Sequence, residues 1–329
     1  MIEKYKTPEF TKKIKKYSEE ILQMKKEIAK AVVGQEDIVN SLIRALICNG
    51  HVLIEGVPGI AKTFVIKCLG RVSGCDVKRV QFTVDLLPTD IIGMTIYRQG
   101  KGFELSKGPI FANFLIADEI NRSPPKTQSA LLEAMQEKQV TIGKETLMLP
   151  KPFFVMATQN PLEQAGVYTL PEAQIDRFIF KLMMSYPSKE QERAILRQNI
   201  DIMSFENFKL KQILNPQVII DMQELVKEIY IAPEIEEYIV SIVNTTRDKK
   251  FHYSRFIEWG ASPRASISLF MASRAEAMLN GRSYVIPQDV KRVAHDILRH
   301  RILLNYEAEA EGMNADKIIT EIINDIPIP

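Results

Sequence analysis

No apolar run in the sequence reaches the roughly 18 residues needed to cross a bilayer. The opening stretch, MIEKYKTPEF, has no apolar centre of the kind a secretory leader carries. Neither membrane insertion nor export is expected. Cysteine is scarce: Cys48, Cys68 and Cys75 leave an odd count without metal-type spacing. That excludes a disulfide framework and favours a reduced, cytoplasmic compartment. The four histidines are scattered and form no metal-ligand pair. Surplus charge is nearly absent, since 43 basic and 41 acidic residues leave a net charge of +2, so there is no bulk electrostatic case for a nucleic-acid or membrane-surface partner. Low-complexity segments and long internal repeats are also missing. What remains is an ordinary globular composition, 46% hydrophobic and 26% charged over 329 residues, enough for about two domains.

One stretch organises the chain: His51 to Phe64, HVLIEGVPGIAKTF. The run His51–Glu55 reads as a buried strand, Gly56-Val57-Pro58-Gly59-Ile60-Ala61 as a loop, and Lys62-Thr63 as the opening of a helix. The spacing matches a phosphate-binding loop, except that Ala61 stands where a second glycine is expected. In such a loop consecutive backbone N–H groups converge on phosphate oxygens, and the new helix adds its own unpaired N–H groups and dipole. Lys62 is expected to reach the β- and γ-phosphates and Thr63 to ligate a magnesium ion. The methyl of Ala61 is tolerable at negative φ, which is expected just inside a helix.

Upstream, Phe10, Ile14, Tyr17, Ile21, Met24 and Ile28 repeat at helical spacing. The lysines between them (Lys12, Lys13, Lys15, Lys16) read as a solvated face or as a phosphate contact. Val32-Val33-Gly34-Gln35 precedes a second helix ending near Cys48, and Val33-Gly34 is either a simple turn or a place where backbone approaches an adenine ring. Downstream come a helix (62–72) and a strand (77–82), followed by a glycine-richer segment, Asp85–Pro109, that reads as an inserted β-hairpin. The run Phe111–Ala117 reads as a central parallel strand. Ser123 and Pro124 look like an N-cap and first residue of a helix reaching about Glu137. A second hairpin (140–148), a strand (153–157) and a last strand (178–183) follow. Alternating strands and helices imply an α/β core with a parallel sheet. From Ser188 onward helical periodicity dominates, so a nucleotide-binding domain over 1–187 and a helical domain over 188–329 are expected.

Hydrolysis of a nucleoside triphosphate needs a cradle, a metal ligand, a group that activates water, and positive charge for the transition state. Asp118 and Glu119 end the apolar strand at 111–117, where ligands collect in open α/β sheets. Asp118 can share a magnesium ion with Thr63, and Glu119 can polarise the attacking water. Asn160 ends the neighbouring strand and reads either as a γ-phosphate or water contact or as an Asn-Pro turn. Arg177 is either a surface ion pair or a finger for the γ-phosphate of an adjacent subunit. Arg264, opening a helix in GASPRA, could sense nucleotide across the domain cleft.

GVPGIAKT, FANFLIADEINRSPPKTQSALLEAMQE, FFVMATQNP, LPEAQIDRF and GASPRA occur in order. Over residues 30 to 310 the chain resembles the MoxR family of AAA+ ATPases, in which an alanine at position 61 is usual. The resemblance implies a P-loop core with hairpin inserts followed by a helical lid, binding ATP and Mg2+. It implies that Gly56–Thr63, with Phe64 beside them, form Walker A and that Asp118 and Glu119 form Walker B. Asn160 would be sensor 1, Arg177 the arginine finger and Arg264 sensor 2, acting in cis or in trans, while Val33-Gly34 would border the adenine. Residues 85–109 and 139–149 would be the helix-2 insert and the pre-sensor-1 hairpin. It further implies a homo-oligomeric ring, usually a hexamer, that remodels or matures protein clients beside a von Willebrand factor A domain protein. Two other readings are an ATP-gated scaffold with little turnover and a DNA-remodelling motor. Glu119 argues against the first, and the near-neutral charge against the second.

Overall fold

The computed structural model describes residues 7–57, 59–100, 102–161, 167–198 and 205–329; Pro58 of the expected phosphate loop lies outside them. In chain order the first half contains α1 (Pro8–Ile28), α2 (Glu36–Ile47), β1 (Val52–Gly56), α3 (Lys62–Ser73), β2 (Val77–Gln81) and α4 (Pro88–Ile92). It continues with β3 (Gly93–Arg98), β4 (Gly102–Lys107), β5 (Phe114–Asp118), α5 (Pro125–Glu137), β6 (Gln139–Ile142), β7 (Glu145–Met148), β8 (Phe154–Gln159), α6 (Glu172–Ile175) and β9 (Phe180–Met184). The second half contains α7 (Lys189–Gln198), α8 (Pro216–Leu225), α9 (Pro233–Thr245), β10 (Ile257–Trp259), α10 (Pro263–Leu279), α11 (Pro287–Leu298), β11 (Leu303–Leu304), α12 (Tyr306–Ala310) and α13 (Ala315–Asp325). No described helix is long and apolar enough to cross a membrane.

Five strands form the parallel sheet, in the order β2-β5-β8-β1-β9. Their side chains alternate between two buried faces. Val52, Ile54, Phe114, Ile116, Phe154 and Met156 point into one core; Leu53, Leu115, Ala117, Val155 and Ala157 point into the other. This two-sided burial explains the near-continuous apolar runs. It also brings the carboxyl ends of β1, β5 and β8 side by side, which brings Gly56, Asp118 and Gln159 together.

The amphipathic stripe of α1 is buried as its spacing implies. Thr7 caps the helix by accepting the Phe10 N–H at 3.4 Å, and Lys12, Lys13, Lys15 and Lys16 are exposed, as a solvated face requires. The start of α5 differs from expectation by one residue. Pro124 is the cap and Pro125 the first helical residue, while the Ser123 hydroxyl donates back to the Ile120 carbonyl. The strand expected at 111–117 begins only at Phe114, because Asn113 turns aside to bond the Asp76 N–H and the Pro152 carbonyl.

Both inserts are antiparallel hairpins, β3–β4 and β6–β7. Tyr97 and Phe103 face each other across the first at 5.3 Å and are 63% and 78% exposed. From the helical half, Phe205 and Phe208 pack edge-on against Phe64 in the first turn of α3. Helix α10 packs on α1 and α2, and α11 packs on β9. One apolar core runs from Phe10 through this interface to Ile323. Ion pairing reinforces it: Arg44 Nε lies 2.5 Å from Glu276 Oε2, and Ser41 donates to Asp296 at 2.7 Å.

Under the second hairpin lies a buried nitrogen pair. His51 Nδ1 accepts the Val155 N–H at 3.0 Å, so the neutral ring carries its proton on Nε2, 3.2 Å from the Met135 carbonyl and 2.9 Å from Lys138 Nζ. Burial pushes the Lys138 ammonium down from 10.5 to about 8. Burial, and then the Lys138 charge, holds His51 well below the usual imidazole range. Between pH 8 and 10 the unfolded chain holds a lysine proton that the folded chain has lost, so the contribution of Lys138 to stability rises with pH there, by up to about 1.4 kcal/mol per unit. The buried thiols Cys48, Cys68 and Cys75, held above their ordinary value, act on both proteins alike, so from pH 7.5 to 9.5 the urea midpoint of wild type should rise relative to that of Lys138→Met. Parallel curves would mean that Lys138 is not the titrating group.

Candidate functional site

The phosphate loop leaves β1 at Gly56, whose Cα has no room for a side chain. A Cβ there would lie 2.7 Å from the Met184 carbonyl of β9. Gly59 then turns at φ +83°. Ala61, expected at negative φ, is instead left-handed, φ +64° and ψ +25°, and stands outside the first turn of α3 as its N-cap. The expectation failed because the residue before Lys62 is a cap rather than a helical residue. Such a loop alternates right- and left-handed residues to turn its N–H groups inward. For alanine that conformation costs about 1–2 kcal/mol.

Lys62 and Thr63 open α3 as the spacing implies. Lys62 Nζ donates to the Gly56 carbonyl at 2.6 Å and lies 3.4 Å from that of Gln159. Thr63 Oγ1 stands 3.4 Å from Asp118 Oδ2. The same oxygen accepts Arg79 Nε at 3.0 Å and Nη2 at 2.7 Å, while Oδ1 accepts the Thr158 hydroxyl at 2.6 Å. Burial works to raise the Asp118 pKa. The Thr158 and Arg79 hydrogen bonds, with the charges of Arg79 and Lys62, outweigh it and hold the carboxyl below its ordinary value.

Glu119 is left-handed at φ +56°, and its backbone N–H donates to Thr158 Oγ1 at 2.8 Å. Its carboxylate accepts Gln81 Nε2 at 2.6 Å and Arg122 Nη1 at 3.0 Å. Gln81 Oε1 in turn accepts from Arg79 at 2.6 Å. Asn160 is buried where β8 ends. Together Gly59, Ala61, Lys62, Thr63, Asp118, Glu119 and Asn160 line a groove of about 560 Å³.

This groove adjoins an apolar cavity of about 670 Å³, with Gly59, Ala61 and Phe64 lining both. Val33, Ile60, Tyr186, Leu196 and Phe208 help wall the cavity. A polar recess containing Lys62 beside an apolar slot suits a nucleotide: phosphates in one, base in the other. Val33 faces the slot, whereas Gly34 faces an adjoining recess, its carbonyl accepting Gln191 Nε2 of α7 at 3.2 Å.

The structure does not bring Arg177 or Arg264 to this cavity; neither lines the groove or the slot. Both are exposed. Arg264 Nη1 lies 3.2 Å from Asp176 Oδ2, next in sequence to Arg177. Arg264 opens α10, which packs on α1 and α2. Sequence reasoning passed over Arg79, Gln81 and Thr158. The available signal was two long polar residues alternating on β2, an edge strand in register with β5 so that Gln81 sits opposite Asp118.

The left-handed Ala61 gives a direct test. Glycine relieves about 1–2 kcal/mol of strain and loses about 0.5–1 kcal/mol of unfolded-chain entropy. Ala61→Gly should therefore denature in urea within about 1 kcal/mol of wild type, on the stabilised side. Ala61→Val, β-branched at positive φ, should lose about 2 kcal/mol or more. A valine variant as stable as wild type would mean that this residue is not left-handed in solution.

Comparison with known proteins agrees with the geometry. Residues 51–180 match the ATPase family associated with various cellular activities (AAA), and residues 252–322 match the AAA lid domain. The chain is 46% identical to Chaperone MoxR1 of Mycobacterium tuberculosis over 308 residues, 92% of this chain and 81% of that one. It is 28% identical to Protein MoxR of Methylorubrum extorquens, covering 93% of this chain and 94% of that one. A crystal structure of a candidate ATPase from Cytophaga hutchinsonii superposes with a TM-score of 0.90 at 45% identity, over 97% of this chain and 98% of that one. A phosphate loop backed by two carboxylates, a lid sequence in register and close likeness along nearly the whole length lead to one conclusion: the chain belongs to the MoxR family of AAA+ ATPases.

Proposed function

We propose that the chain is the subunit of a homo-oligomeric ring, a hexamer, in which ATP and Mg2+ bind between copies and hydrolysis remodels a protein client. Phosphates occupy the Gly56–Thr63 nest with Lys62 on the β- and γ-groups, and adenine takes the apolar slot beside Val33. Thr63 and Asp118 are the magnesium ligands. Their hard oxygens, already 3.4 Å apart, suit that ion. When bound, magnesium supplies charge neutralisation at the β- and γ-phosphate oxygens. Glu119 orients and polarises the attacking water once it leaves Gln81, and Asn160 holds that water or the γ-phosphate. Arg177 and Arg264 act on the nucleotide of the neighbouring copy.

The observation that carries this reading is the Asp176 cluster. Arg264 pairs with Asp176, the residue before Arg177, and both arginines are exposed and outside the lining of their own chain's cavity. Exposed Tyr97, Phe103 and Met148 on the two hairpins support client contact through these inserts. A von Willebrand factor A domain partner and a cytoplasmic site of action follow from the family resemblance.

Arg177→Ala should bind ATP as wild type does but release phosphate about 10³-fold more slowly or worse, the usual value of such a finger. Turnover at the wild-type rate would remove the shared site. Glu119→Gln should also keep nucleotide affinity and lose about 10²- to 10⁴-fold in rate. Unchanged phosphate release from it would move the water-activating role to another residue.

A further inference from the structure

Resting on the reading that Arg177 serves a neighbour's nucleotide, we propose that Arg301 and Asp176 are positioning residues that hold Arg177 and Arg264 as one unit. Arg301 follows α11, and its side chain is only 2% exposed. Its planar fork is fully used. Nε donates to Asp176 Oδ1 at 2.6 Å. Nη2 donates to the Phe178 carbonyl at 2.9 Å and lies 3.3 Å from that of Asp176. Nη1 donates to the Ile297 carbonyl at 2.6 Å and lies 3.3 Å from that of Ile179. The fork thus grips backbone on both sides of Arg177 and leaves that side chain in solvent. His300 adds a second clamp, with Nε2 3.1 Å from the Phe178 carbonyl.

Asp176 is the joint between the two arginines. One carboxylate oxygen takes Arg301; the other lies 3.2 Å from Arg264 Nη1 and 3.3 Å from the Ser262 hydroxyl. A single side chain therefore ties the loop bearing Arg177 to the first turn of α10. A buried ion pair is a weak means of joining α11 to β9, since apolar residues of similar size serve stability as well or better. What the pair adds is geometry: five donors in a fixed plane set the path of residues 176–179. Lysine, a single point charge on a flexible stem, cannot reproduce it. A misplacement of about 1 Å at a reacting centre can cost about 10²-fold in rate.

The test mixes subunits. Arg301→Lys alone should lose about 10²-fold in turnover and bind a fluorescent ATP analogue within about twofold of wild type. Its own water-activating site stays intact, so mixing it one-to-one with Glu119→Gln, which is dead in its own site but has intact arginines, should raise turnover above either preparation alone. Asp176→Asn, nearly isosteric and on the surface loop, should behave the same way and decides the matter if Arg301→Lys does not fold. Arg177→Ala mixed with Glu119→Gln is the reference. If that reference gains activity while neither positioning variant does, the Arg301–Asp176 assignment is wrong. Wild-type turnover by Arg301→Lys or Asp176→Asn would also overturn it. If the reference itself gains nothing, the shared-site reading falls, and this inference falls with it.

Discussion

Asp118 is the point on which the site turns. It is nearly buried at the end of a central strand, and a carboxylate there persists only if each oxygen is satisfied. Thr158 holds one oxygen; the other faces Thr63 and is capped by the fork of Arg79. The rest of the groove follows the same constraint. Lys62 leans on the Gly56 carbonyl, and Glu119 on Gln81 and Arg122. Charges needed for triphosphate chemistry are thus kept apart from one another by partners of their own. Because Arg79 also holds Gln81, which holds Glu119, the carboxylates of Asp118 and Glu119 are joined through two β2 residues.

Much of this was legible in the sequence. The two-faced burial of β1, β5 and β8 makes their sequences almost wholly apolar, so the sheet announced itself. Polar residues at their ends, Lys62, Thr63, Asp118, Glu119 and Asn160, stood out by contrast and do converge on one groove. Three things were not legible. Local spacing cannot distinguish a helix N-cap from a first helical residue, which hid the left-handed Ala61 and shifted the start of α5 by one residue. Arg79 and Gln81 read as ordinary exposed residues of a strand, because their role depends on strand order. The docking of α10 on α1 and α2 rests on pairs such as Arg44–Glu276, more than 200 positions apart, which no periodicity encodes.

Backbone strain collects on both sides of the groove. Ala61 and Glu119 are two of the five described non-glycine residues at positive φ. One caps α3 at the end of the phosphate loop, and the other stands where β5 ends, immediately after Asp118. Each is held by surrounding structure: Ala61 by the first hydrogen bonds of α3, which its carbonyl accepts from Phe64 and Val65, and Glu119 by Thr158 under its N–H. Thr158 bonds both Asp118 and the Glu119 backbone, so a single hydroxyl fixes the relative orientation of the two acids.

The packing of the helical half decides what kind of machine the fold can be. A lid hinged over its own nucleotide would present its first-turn arginine to that nucleotide. Here one continuous core and the Arg44–Glu276 pair fix α10 against the back of the sheet domain. Tyr186, Leu196 and Phe208 help wall the cavity beside the phosphate loop instead. The positive charge of Arg264 is then delivered to the same edge as Arg177. Each chain thus carries its phosphate loop and two carboxylates at one place and the exposed Arg177 and Arg264 at another. Asp176, together with the packing of α10 and α11, ties the loop that bears Arg177 to the first turn of α10 within one chain.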